Sequence, residues 1–205
     1  VIDTTFVALD TTGIPGKVPS FSPLVISIGL ARTRAGVLVS STGGYVRQER
    51  SHVLDARAEG AFWFSGIDPK EVLSSGTDAE VVAERLRPML DGEHLRGFNA
   101  EFLHSMLRMK PWEVPSTRWG LCVMEQAARL IKFRKPNGDF QTRVPLNEAL
   151  RWAAAEGYDV LPPDSCDHRA HSNAVRVAKL ALAFEAHCHQ HQQPIGAEYI
   201  PVGVP

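Results

Sequence analysis

Residues 6 to 13 read Phe6-Val7-Ala8-Leu9-Asp10-Thr11-Thr12-Gly13, an apolar run that breaks at an acid and a Thr-Thr-Gly turn. A short apolar stretch closed by turn residues predicts a buried strand over residues 5–10. The next segment, residues 14–23, is rich in Pro, Gly and Ser and predicts a loop. Residues 25–32, with β-branched side chains, predict a second strand. Arg34-Ala35-Gly36 predicts a hairpin turn into a third over residues 37–41, which Tyr45 and Val46 extend. The chain therefore opens as an antiparallel meander.

Beyond the meander the period changes. Val81, Val82, Leu86 and Leu90 recur at helical spacing, so residues 78–90 predict a helix, with Thr77 or Asp78 to cap it. A strand over residues 94–97 and a helix over 101–109 follow. Further helices are predicted over 120–133, 146–155 and 173–186.

Two more stretches complete the pattern that residues 6–13 begin. One is Leu95-Arg96-Gly97-Phe98-Asn99-Ala100-Glu101-Phe102-Leu103, the other His168-Arg169-Ala170-His171-Ser172-Asn173-Ala174. In order and separation the three resemble the motifs of the DEDDh 3′-to-5′ exonucleases, DnaQ-like proteins of RNase H-like fold. Phe64-Ser65-Gly66-Ile67-Asp68 stands where that family has its Gly-Ile-Thr turn. The resemblance runs from about residue 6 to residue 185 and implies an α/β fold, a central mixed sheet flanked by helices. A meander followed by alternating helices and strands has the same element order.

The resemblance also implies a chemistry. In the family, four carboxylates hold two divalent metals, Mg or Mn, and a His near the last Asp activates the attacking water. Carried over by motif, the acid positions fall on Ala8, Asp10, Leu103 and Asn173, and the base on His168. Phe98 replaces the second motif's His. A second alignment puts Asp10 at the first Asp and then has no Glu. Either way one carboxylate remains in the first motif. Two dications about 4 Å apart repel by about 16 kcal/mol at an effective dielectric near 20, which one Asp cannot offset. Asp10 is at best a weak metal ligand, and no cofactor is expected to bind tightly. Glu101, His104, Asp164, Asp167 and His171 lie within a few residues of the lost ligands, but Glu101 sits about 200° from Leu103 around a helix.

Binding residues are better represented. In the family the turn of the first motif meets the terminal nucleotide, which implies a nucleotide-binding role for Thr11, Thr12 and Gly13. Arg129, Lys132, Arg134 and Lys135, interleaved with Phe133, form the densest basic cluster. Such a cluster suits single-stranded nucleic acid, by phosphate neutralisation and base stacking, and equally suits a helix C-terminus complementing its dipole. His168 and Asn173 have bland readings too, as residues closing a helix start, and Asp10 as a turn former.

The functional expectation is a degenerate exonuclease-like protein that binds nucleic acid or nucleotide. The alternatives are a divergent metal-dependent enzyme using Asp10 and His168, and a scaffold for a protein partner or a homodimer.

Composition sets the remaining bounds. With 205 residues, 44% apolar and 22% charged, one domain is the simplest reading: residues 1–189, with a Pro-, Gly- and Gln-rich tail over 190–205. A formal charge of -1 gives no global attraction to polyanions, so nucleic acid needs a local basic face. Cys122, Cys166 and Cys188 are odd in number and widely spaced, which suits reduced thiols in the cytoplasm. No apolar run approaches the roughly 18 residues of a membrane span. His187-Cys188-His189-Gln190-His191 would place alternate side chains on one metal only if the segment were extended.

Overall fold

The computed structural model describes residues 3–12, 23–58, 60, 62, 65–91, 94–131, 143–161 and 170–191. Strands β1 (Thr4–Thr11), β2 (Val25–Arg34) and β3 (Val37–Tyr45) form the meander, and β4 (His94–Gly97) adds parallel to β1, giving the order β3-β2-β1-β4. Beside β4, Trp119 makes one parallel bridge to Leu95, and Gly120 N–H donates to the Leu95 carbonyl at 2.8 Å. This holds residues 119–120 extended, so the helix expected from residue 120 starts later, as α5 (Val123–Ile131).

Side chains alternate across the sheet. Val7, Ile28, Leu30 and Leu95 face α3 (Ala79–Leu90) and α4 (Ala100–Leu107). Phe6, Ala8 and Ala31 face α5, α6 (Leu146–Ala155) and the 21-residue α7 (Ala170–Gln190). A smaller core around Ile26 joins the sheet to α1 (Arg50–Ala58) and α2 (Pro69–Ser75). The molecule is an α/β sandwich with helices on both faces of a mixed sheet, the RNase H-like arrangement.

Three local features place the motif segments. First, the Ala8–Gly29–Gly43 row runs across the sheet without a large side chain. A Cβ on Gly29 would lie 2.1 Å from the Ala170 carbonyl oxygen, and one on Gly43 would lie 2.9 Å from His171 Cβ. Glycine at these places lets the first turn of α7 rest on the strands. Second, Gly97 pairs with Val7, and a Cβ there would meet Leu103 Cδ1 at 2.1 Å. Third, buried Arg96 ties β4 to two helices, donating to Glu185 at 2.6 Å and Gln126 at 2.8 Å, with its guanidinium 5.4 Å from the Phe6 ring centre.

The last helix begins at Ala170, three residues before its expected start, so Asn173 lies inside it and not at its cap. It also runs on to Gln190. Residues 192–205, most of the expected tail, lie outside the described residues. Among the described residues no helix is long and apolar enough to cross a membrane.

Candidate functional site

The end of β1 and the start of α7 meet on one face of the sheet. Phe6, Ala8 and Asp10 share the α7 side of β1 by alternation. Ala8 is 9% exposed and packs in the same core as Ala170 and Ala174. Asp10 is half-buried opposite Ser27, where the register shifts before Thr11 pairs with Val25. A bulge here bends the strand toward the following turn.

In that turn the two threonines differ. Thr12 is fully buried: its Oγ1 accepts from Leu24 N–H at 2.9 Å and its own N–H donates to the Leu24 carbonyl at 2.9 Å. It ties the end of β1 to the residue before β2. Thr11 is half-buried. Gly13 lies outside the described residues.

Leu103 is 3% exposed and belongs to the core on the Val7 side of the sheet, whereas Ala8 belongs to the core on the α7 side. Phe98 packs against the α7-side core. Asn99 takes a left-handed conformation, φ 69°, at the head of α4, and Ala100 N–H donates to Cys122 Sγ at 3.4 Å. Asn is among the few residues that adopt this conformation readily. The second motif's Asn-Ala pair thus turns the chain from β4 into α4. Beside it lies a cleft of about 260 Å³ lined by Asn99, Glu101, Cys122, Met124, Glu125 and Arg143.

Asn173 is half-buried, and its Oδ1 accepts from Arg176 Nη1 at 3.1 Å. Arg176 is 2% exposed, the largest fully buried side chain among the described residues. A guanidinium so buried requires oxygen acceptors, and oxygens that serve it are poorly placed to serve a dication. Sequence reading missed this residue. The available signal was an arginine between Val175 and Val177, one helical turn after the motif's Asn173, which places both on one face.

His168, the expected base, lies outside the described residues, as do Asp164 and Asp167. Nearby His171 is exposed, with Nε2 2.9 Å from Ser41 Oγ on β3. Glu101 is exposed. His104 stacks edge-on against Trp119 with ring centres 6.3 Å apart. Burial, and secondarily Arg108, hold its imidazole below the usual range. Of the basic cluster, Arg129 is exposed on the last turn of α5, and Lys132, Arg134 and Lys135 lie outside the described residues.

Ala8 and Leu103 carry no ligand atom, and the Asn173 carbonyl oxygen is engaged by Arg176. Among the described residues, no three His, Cys, Asp or Glu side chains converge to hold a metal ion. The described residues at these positions do not fit a two-metal site.

No protein-family model and no curated protein matches the chain. Solved structures do. The chain is similar to exonuclease X in complex with 5′-overhanging duplex DNA, with a TM-score of 0.61 and 19% identity over 91% of this chain and 93% of that one. It is also similar to the nuclease domain of 3′hExo, a DEDDh family member bound to rAMP, with a TM-score of 0.61 and 16% identity over 96% and 97% of the two chains. Escherichia coli exonuclease I in complex with a dT13 oligonucleotide gives a TM-score of 0.62 and 14% identity, over 94% of this chain but 42% of that one. These likenesses define the fold: the chain has the DnaQ-like fold of the DEDDh 3′-exonucleases.

Proposed function

We propose that this chain is a degenerate 3′-to-5′ exonuclease-like protein that binds nucleic acid or nucleotide without two-metal hydrolysis. One observation carries the reading: where a two-metal nuclease needs an anionic cluster, Asn173 is hydrogen-bonded to the buried Arg176 guanidinium. The packing of Ala8 and Leu103 into opposite cores supports it, because no ligand is available from either. Asp10 and His168 are then remnants of the catalytic set.

Binding is supported by the fold's other occupants, since similar structures hold duplex DNA, dT13 and rAMP. In this chain Thr11, with Gly13 beyond it, would meet the terminal nucleotide, while Thr12 ties β1 to Leu24. Arg129, Lys132, Arg134 and Lys135 would collect the backbone phosphates.

Fluorescence anisotropy of a labelled single-stranded oligonucleotide, at low salt and in EDTA, tests this. The proposal expects saturable binding that Mg²⁺ or Mn²⁺ does not strengthen beyond their effect as salt. Absence of binding at any salt concentration would leave the fold as a scaffold for a protein partner or a homodimer. Binding that requires Mn²⁺ would return the chain to the active enzymes.

A further inference from the structure

At the far end of α7, about 21 Å along the helix from Asn173 at 1.5 Å per residue, lies a cluster that the exonuclease reading does not use. The segment from His187 to Gln190 is helical, so His187, His189 and His191 do not converge as an extended chain would allow. Helix geometry instead brings residues four apart together. The rings of His187 and His191 lie 4.3 Å apart, centre to centre, with planes inclined by 41°. The His187 ring is held edge-on against Trp152 at 5.0 Å and Tyr158 at 6.1 Å.

A hydrogen-bond chain holds the Nδ1 edge of His187. Tyr158 Oη donates its single proton to Gln190 Oε1 at 3.0 Å and lies 3.2 Å from His187 Nδ1. Nδ1 is thus the ring nitrogen that meets the phenol, and Nε2 is the one left to take a metal. This is how metal-ligating histidines are usually prepared, with one ring nitrogen donating to a neighbour and the other free to coordinate.

We infer that His187 and His191 form a binding site for a divalent transition metal of tetragonal preference, Cu²⁺ above all, with Tyr158 as the group that orients the first ligand. Ring separation selects the metal. An imidazole nitrogen sits about 2 Å from a bound metal and the ring centre roughly 1 Å further, so cis ligands at 90° place ring centres about 4.2 Å apart and tetrahedral ligands about 4.9 Å. The 4.3 Å observed is nearer the square arrangement of Cu²⁺ or Ni²⁺ than the tetrahedron of Zn²⁺. Cys188 faces the core and takes no part, and His189 is exposed on another side of the helix. Two protein nitrogens leave the other positions to water or an added ligand.

Trp152 supplies the readout, because a paramagnetic ion bound at His187 quenches an indole so close to it. CuCl₂ is titrated into the full chain in a non-chelating buffer, following tryptophan fluorescence and calorimetry, with ZnCl₂ in parallel. The wild type should show saturable quenching at one equivalent, with Zn²⁺ weaker. His191→Ala, at an exposed position, should lose at least about tenfold in Cu²⁺ affinity and the saturable quench, while His189→Ala should behave as the wild type. Trp152→Phe should keep the heat and lose the quench. Equal Cu²⁺ affinity and quenching in wild type and His191→Ala, or no saturable quench in the wild type, would overturn the site.

Discussion

Arg176 Nη1 donates to Asn173 Oδ1 at 3.1 Å across one turn of α7, with the guanidinium sealed from solvent at 2% exposure. A buried cation thus sits beside Asn173, the residue that the motif resemblance aligns with the family's last metal-binding acid. An acid introduced at this position should pair with Arg176 and not bind a metal, because the new carboxylate would lie beside a guanidinium already in hydrogen-bonding range, and such charge-assisted pairs are strong.

Asn173→Asp is therefore expected to fold and to pair with Arg176. Calorimetry with MnCl₂ should show no gain in affinity over the wild type. A gain of several fold from this single change would mean that Arg176 does not compete for the acid.

Leu103 makes the opposite point from the core. Pressed onto Gly97 and 3% exposed, it should lose about 2 to 5 kcal/mol of stability as Leu103→Ala, the range for buried leucines. Leu103→Asp should cost more, since a buried carboxyl adds desolvation to the lost packing. Urea midpoints decide the order. Wild-type stability in Leu103→Asp would place this side chain in an open cleft instead.

His104 should give stability a pH dependence. Its imidazole is held below the usual range in the folded chain by burial and then by Arg108. The unfolded chain takes up this proton near pH 6.5, the folded chain only at lower pH. The unfolded state then binds more protons in that window, so stability falls as pH drops below about 6.5 and levels off once the folded ring is also protonated. His104→Gln should remove this component, seen as a flatter urea midpoint between pH 7 and 5. A profile identical to the wild type would show that the ring titrates alike in both states.

The basic cluster makes a prediction about salt. Replacing Lys132, Arg134 and Lys135 with Ala should weaken oligonucleotide binding and lower the slope of log affinity against log salt by about 2, at about 0.7 per phosphate on a single strand. Unchanged affinity and slope would move the nucleic-acid contact elsewhere on the protein.

The fold was legible where one pattern ran without interruption. Strand β4 and helix α6 fall on the expected residues, and the hairpin at Arg34-Ala35-Gly36 forms with φ 51° and 76° at its two turn residues. Helix α1 escaped because few of its residues face the core, Val53 and Ala56 among them, so its apolar period is weak. Helix α2 left a readable signal, Asp68 capping Lys70 N–H at 2.9 Å ahead of Pro69 in the first turn, in a helix too short for periodicity to show. At the candidate site the sequence showed which motif positions lack an acid, but not the buried arginine beside one of them. Arg96 and Arg176 are buried charges, and a sequence pattern assigns charges to the surface; their burial follows from partners brought together by the fold, Gln126 and Glu185 for one and Asn173 for the other.

The central claim, a nuclease fold without nuclease chemistry, meets its most direct test in a labelled single-stranded oligonucleotide incubated with the purified chain in Mg²⁺ or Mn²⁺. The account predicts full-length substrate after prolonged incubation, for DNA and for RNA. Stepwise shortening from the 3′ end that disappears in Asp10→Ala would contradict it, because that control separates the protein's own activity from a contaminant.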